Sequence, residues 1–294
     1  MKITLTGSLG NISKPLAVQL IVNGHEVTVI SSNADKAGAI EAIGAVAAIG
    51  SIEDQAFLNS AFLGADVVYT MIPPALTAPD TRKHMKQIGE NYAEAIKSAG
   101  IKKVVNLSSI GAHLPGGTGP IAGIYDEEQT FAALTGVAII HLRAAYFYIN
   151  FLNNIDMIRH AGILGANYSA EAKLALVHPN DIADAAVAAI ESEFSGEQIR
   201  YVVSDVKTFA EITAALGKAI GQPELQWIEF TDAQALEGMV KAGLPANAAA
   251  NFVEMGTAIR SGKLMEHYDA TQPVISGKIK LADFSAEFAE KFNQ

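Results

Sequence analysis

Lys2-Ile3-Thr4-Leu5-Thr6-Gly7-Ser8-Leu9-Gly10-Asn11-Ile12-Ser13 opens the chain. Ile3 to Leu5 makes a short strand. Ile12 to Val22 then carries helical spacing, with Pro15 in its first turn and Gly24 just past its end, as helix punctuation favours. Between the two lies the pattern G-x-x-G-x-x-S, from Gly7 to Ser13. Gly7 permits a tight turn, and Gly10 lets the backbone approach a pyrophosphate. Ser13, in the place of a third glycine, is still small enough for close helix–strand packing. The helix N-terminus supplies unpaired N–H groups and a dipole that favours an anion. Two glycines alone are weak evidence, and an ordinary glycine turn is the competing reading. Their position after the first strand of a β-α-β unit is what points to a dinucleotide.

The alternation continues outward from that loop. Strands are expected at 26–31, 45–49, 66–72, 103–108 and 137–142. Helices are expected between them at 34–43, 54–61, 80–98 and 125–134. Val67-Val68-Tyr69 and Val104-Val105 are near-continuous apolar runs. Such strands are buried on both faces, so the expected fold is α/β, a doubly wound parallel sheet with helices on each side. The second half is less regular, with helices expected at 151–160, 179–191, 209–220, 232–240, 246–259 and 281–292. Extended segments are expected at 174–178, 198–203 and 226–230. No clean linker separates the halves. The expected division is a dinucleotide-binding core over 1–145, with 179–204 returning to it, and a smaller α+β C-terminal substrate lobe over 146–178 and 205–294.

Composition narrows the function classes. The chain has 294 residues, 31 acids against 21 bases, and a net charge of −10. A basic face for nucleic acid is absent from the sequence. There is no cysteine, which removes disulfides, cysteine-ligated zinc and thiol catalysis. No His/Asp/Glu cluster has metal-ligand spacing, so no metal is expected. Gly119-Pro120-Ile121-Ala122-Gly123 holds no serine for a nucleophile elbow. Gly7 comes too early for a signal-peptide core, and no apolar run approaches the ~20 residues of a membrane span. The chain is expected to be soluble and cytoplasmic, with no membrane partner.

The choice of dinucleotide turns on the end of the second strand. An NAD site usually places an acid roughly 20 residues beyond the glycine loop to hold the ribose 2′-hydroxyl. Here the strand ends in Ser31-Ser32-Asn33. No carboxylate would repel a 2′-phosphate, and Ser31, Ser32 and Lys36 could receive one, with Lys14 as a second cation. NADP(H) is therefore expected over NAD(H). The competing reading is that Asp35 and Lys36 merely begin a solvated helix.

Several motifs in order resemble the NmrA-like family of atypical short-chain dehydrogenases/reductases. They are the G-x-x-G loop, Met71-Ile72-Pro73-Pro74, Asn106-Leu107-Ser108-Ser109 and Tyr125-Asp126-Glu127-Glu128-Gln129. Leu142-Arg143-Ala144-Ala145-Tyr146-Phe147 and His178-Pro179-Asn180-Asp181-Ile182-Ala183 complete the set. They cover the first two thirds of the chain. The resemblance implies a Rossmann domain, a smaller C-terminal lobe and NAD(P) binding. Members include quinone and isoflavone-type reductases, and regulatory proteins that bind the dinucleotide without reducing anything.

One departure bears on chemistry. Catalytic members pair a tyrosine with a lysine four residues on. Tyr125 stands at the tyrosine position, but Gln129 stands where the lysine would be. Glu127 and Glu128 beside it add negative charge, which disfavours a phenolate. A quinone needs less help than a simple ketone, because hydride transfer gives it a stabilised phenolate that water can protonate. The expected activity is hydride transfer from NAD(P)H to a small, largely apolar, quinone-like acceptor. The alternative is a non-catalytic NADP(H) sensor with a regulatory protein partner, and an oligomer is left open.

The resulting site expectations are these. Tyr125 and Ser108 are the catalytic candidates. Cofactor contacts are expected from Gly7, Ser8, Leu9, Gly10, Asn11, Ile12, Ser31, Ser32, Lys36, Met71, Pro73 and Ser108. Acceptor contacts are expected from Tyr125, Tyr146 and Asn150, with Tyr146 placed directly after the sixth strand. Each has a plainer reading: Tyr125 as a packing tyrosine at a helix start, Ser108 as a strand-end serine satisfying backbone groups, Tyr146 as core.

Overall fold

The computed structural model describes all residues, Met1–Gln294. Strands β1 (Lys2–Leu5), β2 (Glu26–Ser31), β3 (Val46–Ile49), β4 (Val67–Thr70), β5 (Lys103–Ser109) and β6 (Ala138–Ala144) follow in order. They alternate with helices α1 (Ser13–Val22), α2 (Ala37–Ala42), α3 (Gln55–Phe62), α4 (Thr81–Ser98) and α5 (Ile121–Ala132). With the strand Glu197–Val202 they build a seven-stranded sheet, ordered Glu197–Val202, β6, β5, β4, β1, β2, β3. β1 pairs in parallel with both β2 and β4, β2 with β3, and β4 with β5. The expected doubly wound α/β sheet is the observed one.

This order puts a change of direction at β1. The chain winds from β1 out to β3, then returns to β4 on the other side of β1. Beyond the carboxyl ends of β1 and β4 the flanking loops diverge, and open α/β sheets bind ligands in that crevice. The two loops are tied at their roots: Thr6 N donates to Tyr69 O at 3.0 Å, and Met71 N donates to Thr6 Oγ1 at 2.8 Å.

Local sequence accounts for the elements. Val67, Val68, Tyr69, Val104 and Val105 are buried, as strands covered on both faces require. α4 presents Met85, Ile88, Tyr92 and Ile96 at helical spacing to a core shared with Phe62, Val104 and Phe131. Asp54 caps α3 by accepting from the Ala56 and Phe57 amides, and Asp80 caps α4 by accepting from Lys83 N.

Two compact units emerge. The first comprises Met1–Ser109, Gly123–Arg143 and Ile182–Arg200; the second comprises Ile110–Ala122, Ala144–Asp181 and Tyr201–Gln294. In the second, strand Lys173–Val177 pairs antiparallel with Asp205–Thr208 and parallel with Tyr146–Phe147. Gln226–Glu229 pairs in parallel with Ile163–Ala166. Phe209 packs 4.5 Å from Tyr168 and 4.6 Å from Trp227 between ring centroids. No helix of the chain is long and apolar enough to cross a membrane.

Of the boundaries that differ from the sequence reading, two bear on the site. α5 starts at Ile121 rather than Tyr125. Pro120 stands immediately before it, where a proline suits a helix start, and the surrounding glycines conceal the signal. Tyr125 therefore sits in the second turn. β6 runs on to Ala144 rather than stopping at Leu142. Arg143 is thus a strand residue, and Tyr146 belongs to a separate short strand instead of following β6 directly.

Candidate functional site

The Gly7–Ile12 loop has the geometry of an anion cradle. Gly7 has φ +91, and a Cβ there would lie 2.5 Å from Ser13 Oγ and 3.0 Å from Met71 Cγ. Only glycine meets both demands. Ser13 Oγ in turn donates to Thr6 O at 2.9 Å, which locks the helix start against the end of β1. Gly10 N donates to Gly7 O at 3.2 Å, so the loop curls back on itself. Gly10 and Asn11 are exposed, and Ser8 and Leu9 are half-buried. Ile12, at the N-cap of α1, provides no side-chain cap. Lys14 N donates to Gly10 O at 3.1 Å and Pro15 carries no N–H, so an anion here would meet the glycine loop and the positive end of the helix dipole. A glycine-bounded loop before a helix without a side-chain cap fits a pyrophosphate.

Ser8 adopts φ 54, a left-handed conformation uncommon outside glycine. It is held by two bonds: Ser8 N donates to Ile30 O at 3.0 Å, and Ser8 Oγ donates to Ser31 Oγ at 2.9 Å. Ser31 is buried and also donates to Asn33 O at 3.3 Å while accepting from Asn33 N at 3.2 Å. Its hydroxyl thus closes the turn after β2. Ser32 and Lys36 are exposed on that turn, and Pro73 is exposed after β4.

The third part lies on β5, β6 and α5. Ser108 Oγ donates to Glu128 Oε1 at 2.5 Å. Arg143 grips the same carboxylate with two N–H groups, Nε to Oε1 at 3.0 Å and Nη2 to Oε2 at 2.6 Å. One turn-mate away, Asn106 donates through Nδ2 to Glu127 Oε2 at 3.3 Å and contacts His141 Nδ1 at 3.2 Å. Thr70 Oγ1 donates to Asn106 Oδ1 at 2.9 Å. All of these side chains are buried. Burial pushes the Glu127 carboxyl up to about 8, against the Asn106 hydrogen bond and with help from the Glu128 charge. Glu127 Oε1 has no hydrogen-bond partner. Burial likewise holds His141 below the usual imidazole range, so the ring stays neutral.

Tyr125 is half-buried two residues before Glu127, and Gln129 is exposed. The structure thus brings Tyr125 and Ser108 into one unit with the glycine loop, Ser31, Lys36, Met71 and Pro73. The acids after Tyr125 are both engaged elsewhere, Glu127 by Asn106 and Glu128 by Arg143 and Ser108. Sequence reasoning quoted these residues within motifs but missed their network. A signal was present: Asn106 and Ser108 on β5, and His141 and Arg143 on β6, put polar groups at i and i+2 within buried strands. Side chains at that spacing share one sheet face, and buried polar groups need partners.

Tyr146 and Asn150 belong to the second unit. Tyr146 is half-buried and packs 5.5 Å from Phe151. Its apolar surround pushes the phenol up to about 12, opposed by a hydrogen bond with the Asn150 side chain. Trp227 is half-buried, and its Nε1 donates to Tyr168 O at 2.9 Å. No group of three or more His, Asp or Glu is placed to hold a metal ion.

Comparison with known proteins adds the decisive observation. Residues 7–136 match the NAD(P)H-binding family, starting at the glycine of the cradle and ending short of β6. The chain is similar to the NAD(P)H azoreductase of Xenophilus azovorans, at 28% identity over 260 residues, 88% of this chain and 86% of the relative. Among solved structures it resembles an NADPH-dependent quinone oxidoreductase from Escherichia coli, with TM-score 0.76 and 19% identity over 97% of this chain and 99% of that one. It also resembles the triphenylmethane reductase of Citrobacter sp., with TM-score 0.80 and 18% identity over 99% and 100%. The two structures establish the Rossmann-type fold through the full length.

Proposed function

We propose that the protein is an NADPH-dependent reductase that passes hydride to a small, largely apolar, quinone-like acceptor. The observation that carries this is the Gly7–Ile12 cradle at the switch point of the sheet, inside the segment that matches the NAD(P)H-binding family. The named activities of the azoreductase, the quinone oxidoreductase and the triphenylmethane reductase support the redox reading. All three names specify what is reduced: azo compounds, a quinone and triphenylmethane dyes. NADP(H) is preferred over NAD(H), because β2 ends without a carboxylate and Lys36 is exposed there. Titration of NADPH and NADH reads that preference, and tighter NADH binding overturns it.

When bound, the cofactor supplies a hydride, and one proton completes the reduction of a quinone to a hydroquinone. The residues of the chain bind and orient. Gly7, Ser8, Leu9, Gly10, Asn11 and Ile12 take the pyrophosphate. Ser31, Ser32 and Lys36 line the adenosine end, with Met71 and Pro73 beside the riboses. Ser108 faces the nicotinamide side, at the carboxyl edge of β5. Tyr125 orients the acceptor from α5, and Tyr146 and Asn150 are the acceptor-binding residues of the second unit, which acts as the substrate lobe. With Gln129 in place of a lysine, no cation stabilises a Tyr125 phenolate. The acceptor must therefore tolerate the negative charge it gains, as a quinone does.

The same exposed Gln129 favours one other reading, a non-catalytic NADP(H) sensor acting on a protein partner. Tyr125→Phe separates the two when NADPH oxidation is followed with a quinone. The reductase reading expects a several-fold rise in acceptor KM with NADPH affinity unchanged. Identical KM and turnover in the variant removes Tyr125 from the site. NADPH binding without turnover in the wild type selects the sensor.

A further inference from the structure

Ser108 is oriented by a buried ion pair, and the orientation fixes which hydrogen bond it can still make. Glu128 receives two N–H bonds from Arg143, one on each carboxylate oxygen. A carboxylate held bidentate by a guanidinium is an acceptor only. The 2.5 Å contact therefore has one polarity, with Ser108 Oγ–H donating to Glu128 Oε1. A hydroxyl has a single proton. Once it is given to Glu128, Ser108 Oγ offers lone pairs and nothing else. Donation to an anion also makes that oxygen a better acceptor.

An acceptor at this position cannot stabilise a developing negative charge on a substrate oxygen. Quinones and azo compounds also carry no N–H or O–H of their own to give. The nicotinamide end of the dinucleotide does bring donors, its ribose hydroxyls and the carboxamide N–H₂, and of these only the carboxamide is fixed to the ring and can set the ring's orientation. We propose that Glu128 and Arg143 are positioning residues that set Ser108 as the hydrogen-bond acceptor for the nicotinamide carboxamide, so that Ser108 orients the cofactor ring rather than the substrate. This rests on the dinucleotide-binding reading given above.

The test is equilibrium binding, which does not require turnover. NADPH and its reduced 3-acetylpyridine analogue are titrated against the wild type and Ser108→Ala. The analogue keeps the carbonyl but replaces the amide nitrogen with a methyl group. In the wild type NADPH is expected to bind more tightly than the analogue. In Ser108→Ala that preference is expected to shrink by about threefold to tenfold, the range for one hydrogen bond, because only NADPH loses a partner. A preference unchanged by the substitution overturns the proposal while leaving NADPH binding intact. Failure of NADPH to bind the wild type at all overturns the dinucleotide reading together with it.

Glu128→Gln supplies the positioning readout. It is expected to lower the preference as Ser108→Ala does, and the double variant is expected to add nothing further. Independent, additive effects of the two substitutions on the ratio contradict action through Ser108. If Glu128→Gln does not fold, the Ser108→Ala ratio still decides whether Ser108 accepts from the carboxamide. Arg143→Lys then tests positioning: a preference that matches the wild type in a folded Arg143→Lys protein contradicts a role for the bidentate grip.

Discussion

Glu127 sits in the sheet-facing turn of α5 with no exposed surface. One of its oxygens is held only by Asn106, and the other has no partner. A carboxylate in that setting is disfavoured, so the group stays protonated until about pH 8, far above its ordinary 4.5. The folded chain then binds a proton that the unfolded chain has released. Stability must fall as pH rises from 4.5 through 8, by up to ~1.4 kcal/mol per unit. Glu127→Gln keeps an uncharged hydrogen-bonding group there. Thermal melts across pH 4 to 9 are expected to show the variant matching the wild type near pH 4 and exceeding it increasingly towards pH 8. Parallel curves contradict a protonated Glu127. The contrast with Glu128, one residue on, is instructive. Its charge is matched by Arg143, and removal of one partner from such a buried pair costs about 3–5 kcal/mol.

At the scale of elements, the segment between β5 and α5 connects Ser108 to Tyr125 through Gly119. Gly119 has φ +58, and a side chain there would overlap the carbonyl of Asn251 in the helix Ala246–Arg260. Gly119→Ala is expected to lower stability in denaturant unfolding by ~2 kcal/mol or more. A midpoint equal to wild type would mean the backbone relaxes freely at this point. The same segment shows where sequence reading stops. The strands β1 to β6 are legible because short runs of valine, isoleucine, leucine and alanine between helical segments have few alternatives. So is the cradle, because its glycines sit between a strand and a helix. The start of α5 is not, because Gly116, Gly117 and Gly119 look like loop while Pro120 is already beginning a helix. Strand Asp205–Thr208 was missed because it alternates polar and apolar residues over four positions only, and it exists through its pairing with Lys173–Val177. The Ser108–Glu128–Arg143 grouping was missed for a related reason. Its members come from β5, α5 and β6, and only the packed sheet brings them together.

At the scale of the whole molecule, two properties converge. The first unit carries the glycine loop proposed to take a pyrophosphate, a β2 end without an acid and the buried Ser108–Glu128–Arg143 grouping. The second carries a tightly stacked aromatic core with Tyr146 and Asn150 at its half-buried margin. Gln129 stands, exposed, where the lysine that supports a tyrosine acid would be. The account therefore predicts a reductase selective for acceptors that bear negative charge well. The direct measurement is NADPH oxidation by the purified protein across a panel of quinones, conjugated enals and simple ketones. The account predicts turnover with quinones and none with simple ketones. Equal turnover with ketones would contradict it, because an efficient proton donor would then be present, and so would NADPH that binds but is never oxidised by any acceptor.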